Sequence, residues 1–97
     1  MNLELKIENK DWKFKRHPHD CDSNGIQYIF KFKNGYGASV IKMRFSYGYD
    51  NDLWELAVLK NGKLHYDNTV ANGDVRGGLT DEEVNSCLRE IESFKEE

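Results

Sequence analysis

Apolar residues are densest just after the middle of the chain, and this stretch organises the predicted fold. Residues 53–59 read LWELAVL, and Asn61-Gly62 follows them after one lysine. Asn-Gly favours a two-residue type I′ hairpin turn, because both central positions need a positive φ. The turn pairs Leu59 with Leu64, and a strand that is apolar on both faces is expected in the interior of a sheet.

Four shorter segments alternate apolar and polar residues, which is typical of half-buried strands. They are residues 3–7, 12–15, 27–33 and 39–45. The first two are expected to form a hairpin with each other. Three connecting stretches are rich in Gly, Asn, Asp, Ser or Pro and are predicted to be loops. They are residues 16–25, 46–52 and 67–78.

The C-terminal part of the chain has the signals of an amphipathic helix. Thr80 is followed three residues later by Glu83, which is the pattern of a capping box. Beyond the cap, apolar residues recur at helical spacing, at Val84, Cys87, Leu88, Ile91 and Phe94. This apolar stripe is expected to pack on the sheet.

Together these patterns predict a single α+β domain over residues 1–97. It comprises a five- or six-stranded, mostly antiparallel sheet of hairpins or a meander, with one C-terminal α-helix packed on one face. One helix cannot cover both faces of such a sheet. The second face is expected to be covered by the N-terminal hairpin or by a second copy of the chain, and we predict a homodimer.

The charge of the chain is unevenly distributed, although the net value is only −3. Residues 1–45 carry nine Lys/Arg and five Asp/Glu, whereas residues 46–97 carry five and twelve. No apolar run is long enough for a transmembrane helix, and the polar start is unlike a signal peptide, so we expect a cytoplasmic protein with no membrane partner. Cys21 and Cys87 lack metal or redox spacing and are expected to be free thiols.

Several segments resemble a small uncharacterised protein family of tailed bacteriophages and prophages. They read FKFKNGYGASVI at residues 30–41, LWELAVL at 53–59 and LTDEEV at 79–84, with shorter matches at 46–48 and 66–67. The resemblance covers roughly residues 26–94 and leaves residues 1–25 outside. It implies the cytoplasm of a bacterial host, and it implies no particular reaction, ligand or site residue.

The predicted loop at residues 16–25 carries residue types that ligate metals. Asp20 and Asp22 begin a D-x-D-x-N-G pattern typical of a calcium loop, but position twelve is Lys31 instead of the bidentate Glu. His17 and His19, with the neighbouring thiol and carboxylates, have zinc-ligating chemistry without a second cluster. An ordinary surface turn is favoured, so these two His and two Asp residues stay candidates and no cofactor is predicted.

Basic and aromatic residues on the predicted sheet suggest a binding surface. The candidate binding residues are Lys31, Lys33, Tyr36, Lys42, Arg44 and Tyr47. Interleaved rings and cations are typical of sheets that bind single-stranded nucleic acid. However, alternation places the rings of residues 27–33 on the face opposite Lys31 and Lys33, and the net negative charge opposes phosphate contact.

The sequence contains no recognisable nucleophile–base pair, phosphate-binding glycine loop or pair of catalytic carboxylates, so no enzyme is predicted. We expect a non-enzymatic phage or prophage accessory protein that acts by protein–protein contact, with a host factor as the candidate partner. The acidic C-terminal half could occupy a basic site on such a factor, but an ordinary solvated helix face is favoured for it. The alternative is a nucleic-acid or small-ligand binding module on the basic, aromatic sheet. Glu55 is expected to face solvent near a sheet edge or to accept a hydrogen bond from Asn68.

Overall fold

The computed structural model describes residues 2–66, 68–71 and 75–95. Its strands are β1 (Lys13–His19), β2 (Asp22–Lys31), β3 (Tyr36–Lys42), β4 (Trp54–Lys60), β5 (Lys63–Leu64) and β6 (Arg76–Leu79). Helix α1 spans Asp81–Glu92, and a 3₁₀ turn spans Tyr49–Asn51. All strand pairs are antiparallel, so the predicted α+β fold with one sheet and one C-terminal helix is confirmed for the described residues.

Strand β4 lies in the interior of the sheet, as its apolar sequence predicts. The strand order is β1-β2-β3-β4-β5, and β6 pairs with β4 on the side away from β3. The predicted turn register is confirmed, because Leu59 pairs with Leu64. Asn61 and Gly62 have φ of 52° and 82°, which are the positive values that a type I′ turn needs.

The prediction of a loop at residues 16–25 is wrong, because β1 and β2 form a long hairpin through most of it. His17 pairs with Gln27 and Pro18 with Ile26, and the register shifts between Pro18 and His19. Proline is tolerated here because β1 is an edge strand, which leaves one side of its backbone without a ladder partner. The turn-forming residue types therefore mark only the tip and the irregular end of the hairpin.

The prediction of a strand at residues 3–7 is also wrong, since this segment forms no sheet pairing. Leu5 is buried in the core, and its backbone N–H donates to the Tyr28 hydroxyl at 3.0 Å. Further along, the Glu8 N–H donates to Asn85 Oδ1 of α1 at 2.9 Å. Alternation correctly indicated one buried side, but the backbone hydrogen bonds are made to side chains instead of a neighbouring strand.

Strand β6 begins within the predicted loop at residues 67–78, of which residues 67 and 72–74 lie outside the described residues. Trp54 pairs with Leu79 and Leu56 with Arg76, with an irregularity between the two pairs. The strand reads RGGL and has no apolar alternation, so its sequence gives no strand signal. Pairing with the buried strand β4 compensates for this poor intrinsic preference.

Helix α1 begins and packs as predicted. The Thr80 hydroxyl accepts from the Glu83 N–H at 3.2 Å, and a Glu83 carboxylate oxygen accepts from the Thr80 N–H at 3.0 Å, which completes the capping box. The helix buries four members of the predicted stripe, at Val84, Cys87, Leu88 and Ile91. None of the helices in the described ranges is both long and apolar enough to cross a bilayer.

Candidate functional site

The two faces of the sheet have different surroundings. On the covered face, Tyr28, Phe30, Val40, Leu56 and Val58 share one apolar core with the buried residues of α1. Strand alternation and register place the other set of side chains on what we call the open face. The open face consists of Lys13, Lys15, His17, Gln27, Ile29, Lys31, Gly37, Ser39, Ile41, Glu55, Ala57, Leu59 and Leu64.

The middle of the open face is apolar. Ala57 and Leu59 are largely shielded by their neighbours, while Ile29 and Ile41 are partly exposed and Leu64 is 50% exposed. None of these residues belongs to the core that α1 covers. The open face therefore presents an apolar centre, and no other element among the described residues packs onto it as α1 packs onto the covered face.

A shallow cavity of about 360 Å³ lies within this apolar centre. The cross-strand pairs place Gly37 between Lys31 and Leu59. A Cβ atom on Gly37 would lie 2.0 Å from the Phe30 carbonyl oxygen, so the close approach of β2 requires glycine at this position. We call the cavity and its walls the Gly37 trough (Ile29, Lys31, Gly37, Ser39, Leu59 and Leu64).

Lysines border the open face on the side of β1. Lys13 and Lys31 pair directly across β1 and β2, and Lys15 follows two residues along the same face. The ion pairs found among the described residues involve other cations, so these three lysines have no acidic partner there. Like charges directly opposite each other on a sheet are destabilising, so this arrangement reduces the stability of the isolated chain.

Glu55 is the acidic residue of the open face, and it does not face solvent. It is 9% exposed, and its Oε1 accepts from the Tyr47 backbone N–H at 3.0 Å. The predicted alternatives are therefore both wrong, because Asn68 bonds instead to the backbone around itself. Glu55 fixes the 43–48 loop to the end of the open face and forms no ion pair with the three lysines.

The six predicted binding residues are not brought together. Lys31 lies on the open face, and Lys33 is exposed beyond the end of β2. Tyr36 is buried on the covered face, where its ring packs against Phe94 at 5.1 Å. Arg44 and Tyr47 are exposed in the 43–48 loop, at the other end of the sheet.

Lys42, the sixth of these residues, is a buried structural cation. It is 1% exposed, and its Nζ donates to Asp52 Oδ1 at 3.0 Å and to the Asn2 carbonyl at 2.7 Å. The same ammonium lies 4.1 Å from the centre of the Trp54 ring. The hydrogen bond from Lys42 lowers the pKa of Asp52 below its ordinary value. This lysine is therefore inaccessible to a ligand.

The predicted metal candidates lie in or near the tip of the β1–β2 hairpin, where their polar atoms have local partners. Asp22 Oδ2 accepts from the Arg44 N–H at 3.2 Å, which lowers the pKa of this carboxyl. His19 Nδ1 accepts from the Cys21 N–H at 3.1 Å, and His17 contacts the adjacent carbonyl. Asp20 is exposed. Within the described ranges, no three His, Cys, Asp or Glu side chains are grouped to hold a metal ion.

The acidic surface of the C-terminal half lies on the solvent side of α1. Glu82, Glu83, Glu90 and Glu92 are exposed there. Glu83 serves in the capping box, and Glu90 accepts from the Thr69 hydroxyl at 3.2 Å. This surface has no apolar centre and is an ordinary solvated helix face.

Sequence reasoning missed Lys13, Lys15 and the Gly37 trough. The signal that could have found the lysines is their alternation with Phe14, which continues into β1. Comparison of the chain with protein-family models, curated proteins and solved structures finds no match. The open face is therefore the candidate site on geometric grounds.

Proposed function

We propose that this chain is a non-enzymatic accessory protein of a bacteriophage or prophage, and that it acts in the host cytoplasm by binding an acidic protein through its open face. The observation that carries the proposal is an apolar sheet centre bordered by lysines that have no acidic partner among the described residues. Contiguous exposed apolar surface usually marks a protein interaction site. The phage origin is supported by the sequence resemblance alone.

Charge complementarity identifies the chemistry of the partner. Lys13, Lys15 and Lys31 carry three positive charges along one border, while Glu55 is already bonded to the Tyr47 backbone. A partner with carboxylates around an apolar patch would pair these lysines and cover the apolar centre at once. We therefore propose a host protein of this character as the occupant.

A second copy of the chain is the other protein occupant that the sequence predicts. A symmetric contact between two open faces would bring the lysines of both copies into one interface. Removing these charges from water is unfavourable unless each lysine forms an ion pair. Glu55 is the acidic residue of the open face, and it is already bonded to the Tyr47 backbone. The acidic host protein is therefore favoured over the homodimer.

Nucleic-acid binding has less support from the geometry. The rings of Tyr28 and Phe30 are buried in the core on the covered face, and the residues that make up the open face include no Phe, Tyr or Trp. Single-stranded nucleic acids need exposed rings on which bases can stack. The lysines alone would offer phosphate contacts without a stacking platform.

The test is affinity capture from host lysate with the wild-type chain and two single variants. Leu64→Asp places a charge in the open face, and Leu64 is exposed enough for the fold to tolerate it. Phe45→Asp is the matched control, because Phe45 is 75% exposed in the 43–48 loop, away from the trough. We expect one host protein to be captured by the wild type and by Phe45→Asp and lost with Leu64→Asp.

Two results would contradict the proposal. One is a captured set that is identical for the wild type and Leu64→Asp. The other is a dimer in sedimentation velocity that becomes a monomer with Leu64→Asp while no host protein is captured. The second result would assign the open face to self-association instead.

A further inference from the structure

The Gly37 trough suggests which chemical group the partner places on the open face. Gly37 forms its floor, and Lys31 and Leu59 stand on either side in the same cross-strand row. Because the Phe30 carbonyl oxygen occupies the space that a Cβ atom would need, the depression cannot be filled by a larger residue at position 37.

The size and lining of the trough suit one large apolar side chain. Its volume of about 360 Å³ is at the lower end of the range for ligand pockets, which is about 300–1,000 Å³. Its walls include Ile29, Leu59 and Leu64, which are apolar, and Leu64 is half exposed. Large aromatic or aliphatic side chains that enter such depressions dominate the energetics of protein interfaces.

The lysines at the border of the trough define the neighbouring group. Lys31 belongs to the trough, and Lys13 lies directly opposite it on β1. A carboxylate placed between the two ammonium groups would relieve their repulsion and form two charge-assisted hydrogen bonds. The cavity for an apolar group and the pair of lysines for a carboxylate therefore lie side by side on the same surface.

Addition of a partner strand to the sheet edge does not compete with this mode of binding. The edge strand β1 contains Pro18, which lacks an N–H donor, and it carries lysines that discourage strand pairing. On the far side of β4, the edge is formed by two short strands, β5 with two residues and β6 with four. Binding on the face is thus favoured over binding at the edge.

We propose that the Gly37 trough receives one large apolar side chain of the partner and that an adjacent carboxylate of the partner pairs with Lys13 and Lys31. This inference rests on the proposed function, since it assigns the contact that the open face makes with its acidic partner. It defines a minimal recognition element, namely a bulky apolar residue flanked by acidic residues. Such an element can be tested before the natural partner is identified.

The test is an NMR titration of the isotope-labelled full chain with three synthetic peptides of about ten residues. The first carries one Trp flanked by Glu, the second replaces each Glu with Lys, and the third replaces the Trp with Ala. We expect the first peptide to bind on the order of tenfold more tightly than either control, because each control lacks one of the two contacts. The shift changes should be concentrated at Lys31, Gly37 and Leu59.

Variants of the chain separate the two contacts. Lys31→Ala and Ser39→Leu should each weaken binding of the first peptide on the order of tenfold, the former by removing a cation and the latter by filling the trough. Lys63→Ala is the matched charge control, because Lys63 is exposed and lies on the opposite side of the sheet. It should leave the affinity unchanged.

The inference fails if the three peptides bind equally, if none causes shifts at millimolar concentration, or if the shifts fall outside the trough. Those results would not contradict the proposed function as long as Leu64→Asp still abolishes capture of the host protein. Conversely, identical capture by the wild type and Leu64→Asp would refute the proposed function without reference to the peptides. The two failures are therefore distinguishable.

Discussion

Replacing Asn85 with alanine tests how the N-terminal segment is held to the fold. Asn85 is 5% exposed on α1, and its Oδ1 accepts from the Glu8 N–H at 2.9 Å. Its Nδ2 donates to the Lys6 carbonyl at 2.6 Å and to the Asp81 carbonyl at 2.7 Å. Since this segment has no strand partner, these bonds replace the ladder that a sheet would supply.

The expected cost can be worked out from these three hydrogen bonds. Each contributes about 1 kcal/mol net, which gives about 3 kcal/mol for the side chain. Alanine has a higher helix propensity than asparagine, which offsets about 0.5 kcal/mol of this loss in the free energy of unfolding. Lys6 and Glu8 are exposed, so water partly replaces the lost partners of their backbone groups. We therefore expect a loss of about 2 kcal/mol in the free energy of unfolding.

The assay is urea unfolding combined with amide hydrogen exchange. Asn85→Ala should lower the free energy of unfolding by about 2 kcal/mol and the melting temperature by about 10 °C, and the Glu8 amide should lose more protection than the core strands. Ser86→Ala is the control, because Ser86 is the next residue on α1 and is exposed. If Asn85→Ala were no more destabilising than Ser86→Ala, or if Glu8 stayed protected, this account of the segment would be refuted.

Two further predictions concern the covered face. Lys42 lowers the pKa of Asp52 in the folded state. The ionised Asp52 therefore stabilises the fold above the ordinary aspartate pKa of about 4, and this stability is lost as the pH falls through the lowered pKa. Asp52→Asn should make the free energy of unfolding, measured with urea, depend less on pH in this acidic range. Trp54→Phe should lower the free energy of unfolding by about 1–2 kcal/mol more than Trp12→Phe does. The reason is that Trp54 Nε1 donates to an Asp81 carboxylate oxygen at 2.6 Å, whereas Trp12 Nε1 has no partner in the described part of the chain.

The elements that could be predicted from the sequence are those whose signals are local. The Asn61-Gly62 turn and the Thr80 capping box depend on residues within a few positions of each other, and both form as expected. By contrast, Asn85 and Lys6 are 79 positions apart, and no local pattern indicates that they bond. Strand β6 likewise depends on β4 for its pairing, since its own sequence lacks a strand pattern.

The candidate site could be predicted only in part, because alternation separates the faces of a strand without showing which face the helix covers. Lys31 and Lys42 both occur in alternating segments and have the same chemistry. The structure leaves Lys31 exposed and buries Lys42 against Trp54 and Asp52. That distinction depends on residues ten or more positions away, so it became available only with the tertiary structure.

The contrast between these lysines leads to a last prediction, in which stability and binding change in opposite directions. On the covered face the chain supplies Asp52 as a partner for Lys42, whereas on the open face Lys13 faces Lys31. Lys13→Glu would convert this repulsive pair into an attractive one, which should raise the free energy of unfolding by about 0.5–1 kcal/mol. The same change would occupy Lys31 and should weaken binding of the acidic Trp peptide on the order of tenfold.

Lys15→Glu is the matched control for this prediction, because Lys15 lies opposite the apolar Ile29. It makes the same charge change without a directly opposite lysine, so it should stabilise the chain less than Lys13→Glu does. Urea unfolding and the NMR titration, performed on both variants at low salt, measure the two effects separately. If Lys13→Glu left both stability and peptide affinity unchanged, the Lys13–Lys31 pair would have no part in recognition. A gain in stability together with a loss of peptide binding would instead show that the Lys13–Lys31 pair destabilises the free chain and binds a carboxylate of the partner.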